Sequence, residues 1–272
     1  MDYRSELEIS FREALNNNCL NVLYQPQVDM RTEEPKGAEA LVRWKKEDGT
    51  VLSPAYFVPA LEKMGLTTLL DEAVIGIVCR DICEAKQNGF PFSPVSVNLS
   101  RLHAVRRNAA KSFREIAERC GVERPELSFE ITETAAQTED GTEEVSETNE
   151  EDKKMMLLAG ALKGEGYRIA MDDYGMGSST LKLLQEVPFD ILKLDRYFVR
   201  RIGDPRTDII LASTIGMAGA LGMEVIAEGV ETEKQIRFLL DHRCRYGQGY
   251  YYSGPLPKEE YIRWRLEYEK DV

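Results

Sequence analysis

Apolar positions along this chain alternate between short β-rich runs and longer stretches with helical spacing. Eight runs are predicted as strands because they are rich in β-branched and aromatic residues and bounded by turn residues. They cover residues 21–28, 37–44, 94–100, 127–132, 167–174, 190–195, 224–230 and 247–253. Between most of them, apolar residues recur every three or four positions, which is typical of amphipathic helices. A similar stretch at 1–18 predicts a helix ahead of the first strand.

Strands that alternate with helices predict a parallel sheet, and eight strands favour closure into a TIM-type (β/α)8 barrel. The length of 272 residues is close to the roughly 250 residues usual for that fold. No linker rich in Pro, Gly or Ser divides the chain, so we expect a single domain over 1–272. An open doubly wound sheet is the alternative architecture. The first two strands are joined too closely for a crossover helix, so the first strand is expected to run antiparallel.

Charge and cysteine usage narrow the class of protein. The formal net charge is −12, and residues 138–152 hold eight acids and no Lys or Arg, which is typical of a solvated loop. An anionic surface argues against non-specific binding of DNA or RNA, because that binding depends on neutralising phosphates. The N-terminus lacks a signal-peptide pattern and no apolar run is long enough to cross a bilayer. Five scattered Cys fit a reducing compartment, so we expect a cytoplasmic protein.

Most of the predicted strands carry an ionisable or amide residue, usually in their later half. Strands of a parallel sheet are covered on both faces and are normally apolar throughout. In a barrel, the C-terminal ends of the parallel strands meet at one rim, so these polar residues are predicted to converge there. They are Glu39, Asn98, Glu130, Asp172, Asp173, Lys193, Glu228 and Gln248.

Carboxylates that lie this close together cannot all stay ionised without a counter-charge, and Lys193 alone is too little. Divalent cations supply the charge, and oxygen-only donors suit Mg²⁺ or Mn²⁺. Zinc fits less well, because His103 and His242 lie on none of these strands and no Cys pair has zinc spacing. The adjacent Asp172 and Asp173 can serve two ions, which is an arrangement used to hydrolyse phosphodiesters.

Eight sequence blocks resemble those of the EAL-domain cyclic di-GMP phosphodiesterases. The naming motif is Glu39-Ala40-Leu41, within EALVRW. The other blocks follow in the family's order: YQP (24–26), SVNLS (96–100), FEITET (129–134), MDDYGMGSS (171–179), DILKLD (190–195), AEGVET (227–232) and QGYYYSGPLP (248–257). They extend over nearly the whole chain, and eight blocks in order are not expected by chance.

The resemblance implies a barrel with an antiparallel first strand, and hydrolysis of cyclic di-GMP to linear pGpG with two Mg²⁺ or Mn²⁺ ions per site. It implies one ion held by Glu39, Asn98, Glu130 and Asp172, and a second held by Asp172, Asp173 and Glu228. Lys193 resembles the lysine that positions the attacking water, Glu228 also resembles the general base, and Glu133 resembles the glutamate that anchors the loop of the two aspartates. Substrate contacts are implied for Gln25, Leu41, Arg43, Glu231 and Gln248.

The resemblance also implies a bacterial second-messenger protein that forms a homodimer and is fused to, or regulated by, sensory or nucleotide-cyclase modules. The alternative is an EAL-type receptor that binds cyclic di-GMP with weak or no catalysis. Degenerate members typically lose metal ligands or the EAL glutamate, whereas the named positions are all present here. Met176 and Ser178 depart from the family's usual loop, and Arg245 stands where an Asp is common. A barrel that acts on another phosphodiester is a third possibility.

Overall fold

The computed structural model describes residues 3–46, 48–92, 94–106, 108–132, 148–175 and 184–270. Its strands are β1 (Leu20–Asp29), β2 (Pro35–Lys45), β3 (Val51–Leu52), β4 (Val95–Leu99), β5 (Leu127–Thr132), β6 (Arg168–Tyr174), β7 (Ile191–Leu194), β8 (Glu224–Glu228) and β9 (Tyr246–Gln248). The order around the sheet is β1-β9-β8-β7-β6-β5-β4-β2, and a β1–β2 pairing closes it into an eight-stranded ring. The predicted (β/α)8 barrel is confirmed.

The first strand runs against the rest of the ring. Strand β1 is antiparallel to both β2 and β9, whereas the neighbours from β2 through β4 to β9 pair in parallel. The turn at residues 30–34 is too short for a crossover and therefore reverses the chain, which confirms the predicted orientation. The two-residue strand β3 was not predicted; it pairs with the end of β2 as a short hairpin.

Helices pack around the outside of the ring. They are α1 (Tyr3–Asn16), α2 (Pro54–Lys63), α3 (Thr67–Gln87), α4 (Ala109–Arg119), α5 (Thr148–Gly164), α6 (Arg196–Val199), α7 (Pro205–Ala220), α8 (Glu233–Asp241) and α9 (Lys258–Lys270). Aromatic side chains fill the layer between helices and strands. The Tyr24 ring on β1 lies 4.8 Å from the Phe92 ring and 5.7 Å from the Tyr261 ring of α9, measured between centroids.

Alternation along β1 separates this outer layer from the barrel interior. Tyr24 and Val28 are fully buried in the apolar core. Gln25 and Gln27 point to the other face, because successive side chains of a strand alternate, and both bond to a glutamine of β9 inside the ring. The interior of the barrel is therefore polar near its C-terminal mouth.

Two segments differ from the sequence-based expectations. The last strand ends at Gln248 rather than at residue 253. The next residue, Gly249, packs so tightly against the Val230 backbone that a Cβ would collide with it. Of the acidic segment 138–152, residues 138–147 lie outside the described residues, and the backbone from 148 onward belongs to α5. Within the described ranges, no helix combines the length and apolarity that crossing a bilayer demands.

Candidate active site

Lys193 lies at the centre of four carboxylates inside the mouth of the barrel. Its side chain extends from β7 and is 1% exposed. The distances from its Nζ are 2.5 Å to Glu130 Oε2, 2.6 Å to Glu228 Oε1, 3.1 Å to Asp172 Oδ1 and 3.3 Å to Glu39 Oε2. The four carboxylates come from β5, β8, β6 and β2, so one ammonium joins five strands of the ring.

The register of the strands explains why these residues meet. Asn98 of β4 stands opposite Glu130 of β5, and Glu39 of β2 stands opposite Gln25 of β1. Side chains at paired positions share a face of the sheet. Glu39 pairs with Ser96, two positions before Asn98 on the same face of β4, so these residues belong to the layer of side chains that faces into the barrel. Within that layer, Nδ2 of Asn98 donates a hydrogen bond to Oε1 of Glu39 at 3.0 Å.

A second group of oxygens lies at the end of β6. Single carboxylate oxygens of Asp172, Asp173 and Glu228 lie within 4.8 Å of one another. Neighbouring residues of a regular strand point to opposite faces, but Asp173 has a left-handed backbone with φ 55°, which turns its carboxylate toward the same space. Gly175 follows with φ 98°, and a Cβ there would lie 2.8 Å from Cε2 of Phe198. The close approach of α6 thus requires glycine at this bend.

The acidity of the carboxylates reflects their burial and crowding. Burial raises the pKa of Glu130 to about 8; Lys193 opposes this change, and nearby carboxylates add to it. Burial also raises the pKa of Asp173 to about 6, with a further contribution from Asp172. The pKa of Glu228 lies well above its ordinary value for the same first cause. These carboxylates resist ionisation unless more positive charge is supplied.

Glu39 and Lys193 shift in the direction that favours their charged forms. Burial alone would raise the pKa of Glu39, but the Lys193 charge and hydrogen bonds from Gln248 and Asn98 outweigh it, so the pKa is lowered. Burial alone would lower the pKa of Lys193, but the surrounding carboxylates, Asp172 first, hold it well above its ordinary value. Lys193 therefore stays protonated at neutral pH.

Three observations indicate that the oxygen atoms of this cluster suit divalent cations. Four carboxylates surround one ammonium and a fifth, Asp173, lies beside two of them, so acidic groups outnumber the cation. Among the described residues, the buried Oδ1 of Asp172 finds no hydrogen-bond partner, because its 3.1 Å approach to Lys193 lacks hydrogen-bond geometry. All the candidate ligands are carboxylate or amide oxygens, as Mg²⁺ and Mn²⁺ prefer.

A chain of glutamine amides supports one side of the cluster. Nε2 of Gln248 donates to Oε2 of Glu39 at 2.7 Å and to Oε1 of Gln25 at 3.0 Å. Gln27, which is not among the predicted site residues, donates from Nε2 to Oε1 of Gln248 at 3.0 Å. The sequence did carry a signal for it, because Gln27 follows Gln25 by two positions and therefore shares its face of β1.

The residues expected to contact substrate lie in different surroundings. Arg43, near the C-terminal end of β2, donates from Nη1 to the Val42 carbonyl at 2.9 Å. Burial lowers its pKa, while Tyr250 and Glu39 act in the opposite direction. Arg43 follows Glu39 by four positions on β2, so both side chains lie on the face of the strand that lines the mouth. Leu41 is half-buried on the same strand.

One predicted site residue, Glu231, is not brought to the cluster. Glu231 binds Arg200 at 2.8 Å on the surface, and among the described contacts none joins it to the Lys193 cluster. Glu133, Met176 and Ser178 lie outside the described residues.

Comparison with known proteins decides the family. The family model described as EAL domain matches residues 9–255. The chain belongs to the EAL domain family. This match confirms the resemblance inferred from the eight sequence blocks.

Named relatives of this EAL domain include cyclic di-GMP phosphodiesterases. It is 33% identical over 262 residues to the cyclic di-GMP phosphodiesterase NbdA of Pseudomonas aeruginosa, a match that covers 95% of this chain and 32% of NbdA. It is 32% identical over 253 residues to the probable cyclic di-GMP phosphodiesterase PdeB of Escherichia coli, covering 93% and 46%. An uncharacterized protein of Mycobacterium tuberculosis is 33% identical over 260 residues, covering 95% and 40%. The chain thus spans less than half the length of these relatives.

Solved structures show the same architecture. The complex of the PaMucR phosphodiesterase with c-di-GMP matches with a TM-score of 0.80 at 30% identity, covering 94% of this chain and 99% of that one. The EAL enzyme Bd1971 in its cAMP- and cyclic-di-GMP-bound form gives a TM-score of 0.83 at 25% identity, covering 96% and 69%.

Proposed function

We propose that this EAL domain is a metal-dependent phosphodiesterase that hydrolyses cyclic di-GMP to linear pGpG. The observation that carries the proposal is the convergence of carboxylates from four strands on the buried Lys193. Such an excess of buried negative charge is stabilised by divalent cations. The relatives named as cyclic di-GMP phosphodiesterases support the choice of substrate.

The donors that would hold the cations fall into two groups. We assign one Mg²⁺ or Mn²⁺ ion to Glu39, Asn98, Glu130 and Asp172, and a second ion to Asp172, Asp173 and Glu228. The proximity of the last three carboxylates supports the second assignment. When bound, such cations supply Lewis-acid activation of water and of the phosphoryl oxygens.

Glu228 and Lys193 are assigned to the transfer of the proton from the attacking water. Among the four carboxylates around Lys193, the Glu228 side chain is the most exposed, at 17%. We therefore assign Glu228 as the acceptor of the proton from the attacking water. The Lys193 ammonium, 2.6 Å from that carboxylate, holds it in position and orients the water.

Substrate recognition is assigned to the rim of the barrel. The half-buried Arg43 guanidinium can form paired hydrogen bonds with a phosphate or with the edge of a guanine. Gln25, Leu41 and Gln248 line the same side of the mouth as further proposed contacts. Glu231 would have to exchange its bond to Arg200 for one to the nucleotide. Glu133, outside the described residues, keeps its proposed role of anchoring the loop that follows β6.

Chromatography of the nucleotide after incubation with the purified protein tests the function. With Mg²⁺ or Mn²⁺ we expect cyclic di-GMP to be converted to pGpG, and we expect EDTA to abolish the conversion. Cyclic di-AMP serves as the matched substrate control and should remain intact. Tight binding of cyclic di-GMP without pGpG would favour the receptor alternative. Preferential hydrolysis of cyclic di-AMP would favour a different phosphodiester substrate.

The setting of the reaction follows from the family and stays part of the proposal. We propose a cytoplasmic, bacterial signalling protein that acts as a homodimer and is fused to, or regulated by, sensory or nucleotide-cyclase modules. Sedimentation of the purified chain with and without cyclic di-GMP measures whether it forms a homodimer.

A further inference from the structure

Gln27 is a buried polar residue that the proposed reaction does not use. It lies on β1 and is 6% exposed. Its register partner across the β1–β9 pair is Gln248. A buried amide needs hydrogen-bond partners to offset its loss of water, and Gln27 finds one inside the barrel: its Nε2 lies 3.0 Å from Oε1 of Gln248.

The direction of the hydrogen bonds in this chain is fixed by Glu39. An ionised carboxylate can only accept hydrogen bonds, so the Gln248 atom that lies 2.7 Å from Oε2 of Glu39 must be the donor Nε2. The carbonyl Oε1 of Gln248 consequently points away from the cluster. Gln27 supplies the donor that this oxygen accepts, so its hydrogen bond stabilises the orientation of the Gln248 amide that Glu39 requires.

We infer that Gln27 is a positioning residue for the metal site, acting through Gln248 on Glu39. The inference rests on the proposed function, in which Glu39 is a metal ligand. Residues that orient metal ligands by hydrogen bonding affect metal affinity although they do not touch the ion. Gln27 extends that support by one hydrogen bond, from the ligand Glu39 through Gln248 to β1.

Loss of the Gln27 donor has a defined structural consequence. Oε1 of Gln248 would be buried without a partner, which costs free energy. Rotation of the Gln248 amide by half a turn would not relieve that cost, because it would point the carbonyl oxygen at the Glu39 carboxylate, which cannot donate a hydrogen bond. Either outcome weakens the hold on Glu39, so metal affinity falls while the apolar core around the barrel is unchanged.

Binding of Mn²⁺, followed by the electron paramagnetic resonance signal of the free ion, tests the inference without relying on turnover. Gln27→Met keeps the length of the side chain and removes the donor, and we expect Mn²⁺ affinity to fall by about tenfold, the lower end of the range for residues that orient metal ligands. Gln27→Glu places an acceptor against Oε1 of Gln248 and should lower the affinity further. Circular dichroism of each variant verifies folding. If one of the two variants does not fold, the Mn²⁺ affinity of the other tests the inference.

A double-mutant cycle with Gln248→Met separates positioning from a general structural effect. If Gln27 acts through Gln248, Gln27→Met should change Mn²⁺ affinity less than twofold in the Gln248→Met background. Equal losses in both backgrounds, or no loss in the parent protein, would overturn the inference. The parent protein keeps the two claims distinct: if it fails to bind Mn²⁺ at all, the proposed metal-dependent function fails, whereas normal binding in every variant removes only the role of Gln27.

Discussion

Nζ of Lys193 lies 2.5 Å from Oε2 of Glu130, and both side chains are 1% exposed. This contact is part of a larger imbalance, because the same ammonium also faces Glu39, Asp172 and Glu228. A single buried cation shared by several carboxylates leaves negative charge uncompensated.

Replacing Lys193 by Met should destabilise the metal-free protein. Added divalent cations should restore part of the lost stability. Removing one partner of a buried ion pair typically costs about 3–5 kcal/mol. Mg²⁺ or Mn²⁺ should raise the melting temperature of Lys193→Met by more than that of the parent. Turnover should fall by at least about 100-fold, as for loss of a group that acts on proton transfer. Thermal unfolding and initial rates measure the two effects.

Lys163→Met is the matched control for this lysine. Lys163 also forms a 2.8 Å ion pair, with Asp190, but it is 35% exposed and lies away from the cluster. We expect a change within about 1 kcal/mol, typical of partly exposed pairs, and no cation-dependent recovery. A Lys193→Met protein as stable as the parent without metal would contradict the proposed charge imbalance.

Glu39→Gln should abolish turnover and weaken Mn²⁺ binding while the barrel stays folded. The substitution keeps the size of the side chain but removes the charge that attracts the cation. Loss of a ligand should lower the rate by at least about 100-fold. Glu224→Gln is the control: Glu224 begins β8 at the opposite end of the barrel, where it pairs with Arg168 at 3.1 Å. Full activity in Glu39→Gln would contradict its role as a ligand.

The metal-free protein should lose stability as the pH rises from about 5 to 8. The pKa of Asp173 rises from 3.8 to about 6 on folding, and that of Glu130 from 4.5 to about 8. The folded state therefore binds protons more tightly than the unfolded chain in this window, and the stabilising effect of protonation is lost as pH increases through it. Glu39, whose pKa is lowered, makes stability depend on pH only below this range.

Thermal unfolding in EDTA across that pH range measures the effect. The melting temperature should fall with pH in EDTA and become flatter with saturating Mg²⁺, because a bound cation stabilises the ionised carboxylates. A melting temperature that is constant or rises with pH in EDTA would contradict the assignment.

Thiol labelling at pH 8 should distinguish two classes of cysteine. Burial raises the pKa of Cys79 and of Cys244 to about 12, and both are fully buried. The thiolate is the reactive form, so neither should react while the protein is folded. The other three, which are half-buried, should react first: Cys19, Cys83 and Cys120. Unfolding in guanidinium should expose all five. Prompt reaction of Cys244 in the folded protein would contradict its burial between β8 and β9.

The ring of strands and its polar mouth could be predicted because both depend on local patterns. Strands are short apolar runs, and a lone Glu or Asn within such a run marks the point where the strand approaches the rim. The antiparallel β1 followed from the length of a single connection. These features do not require knowledge of which distant residues touch.

The contacts that define the site depend on the stagger of the closed barrel and could not be predicted. The sequence shows Lys193 on a strand, but its approach to four carboxylates depends on how β7 sits against its neighbours. The left-handed Asp173, with φ 55°, has no sequence signature comparable to that of a glycine. Likewise, Arg245 pairs with the buried Asp29 across β1 and β9, so an Asp at position 245 would face a like charge.

Anomalous scattering from crystals grown with Mn²⁺ tests the central claim most directly, because it locates the ion without reference to activity. The account predicts peaks at the barrel mouth, one among Asp172, Asp173 and Glu228 and one beside Glu39 and Glu130. Crystals that show no Mn²⁺ at the mouth at saturating concentration, with Lys193 still joining the four carboxylates, would contradict it.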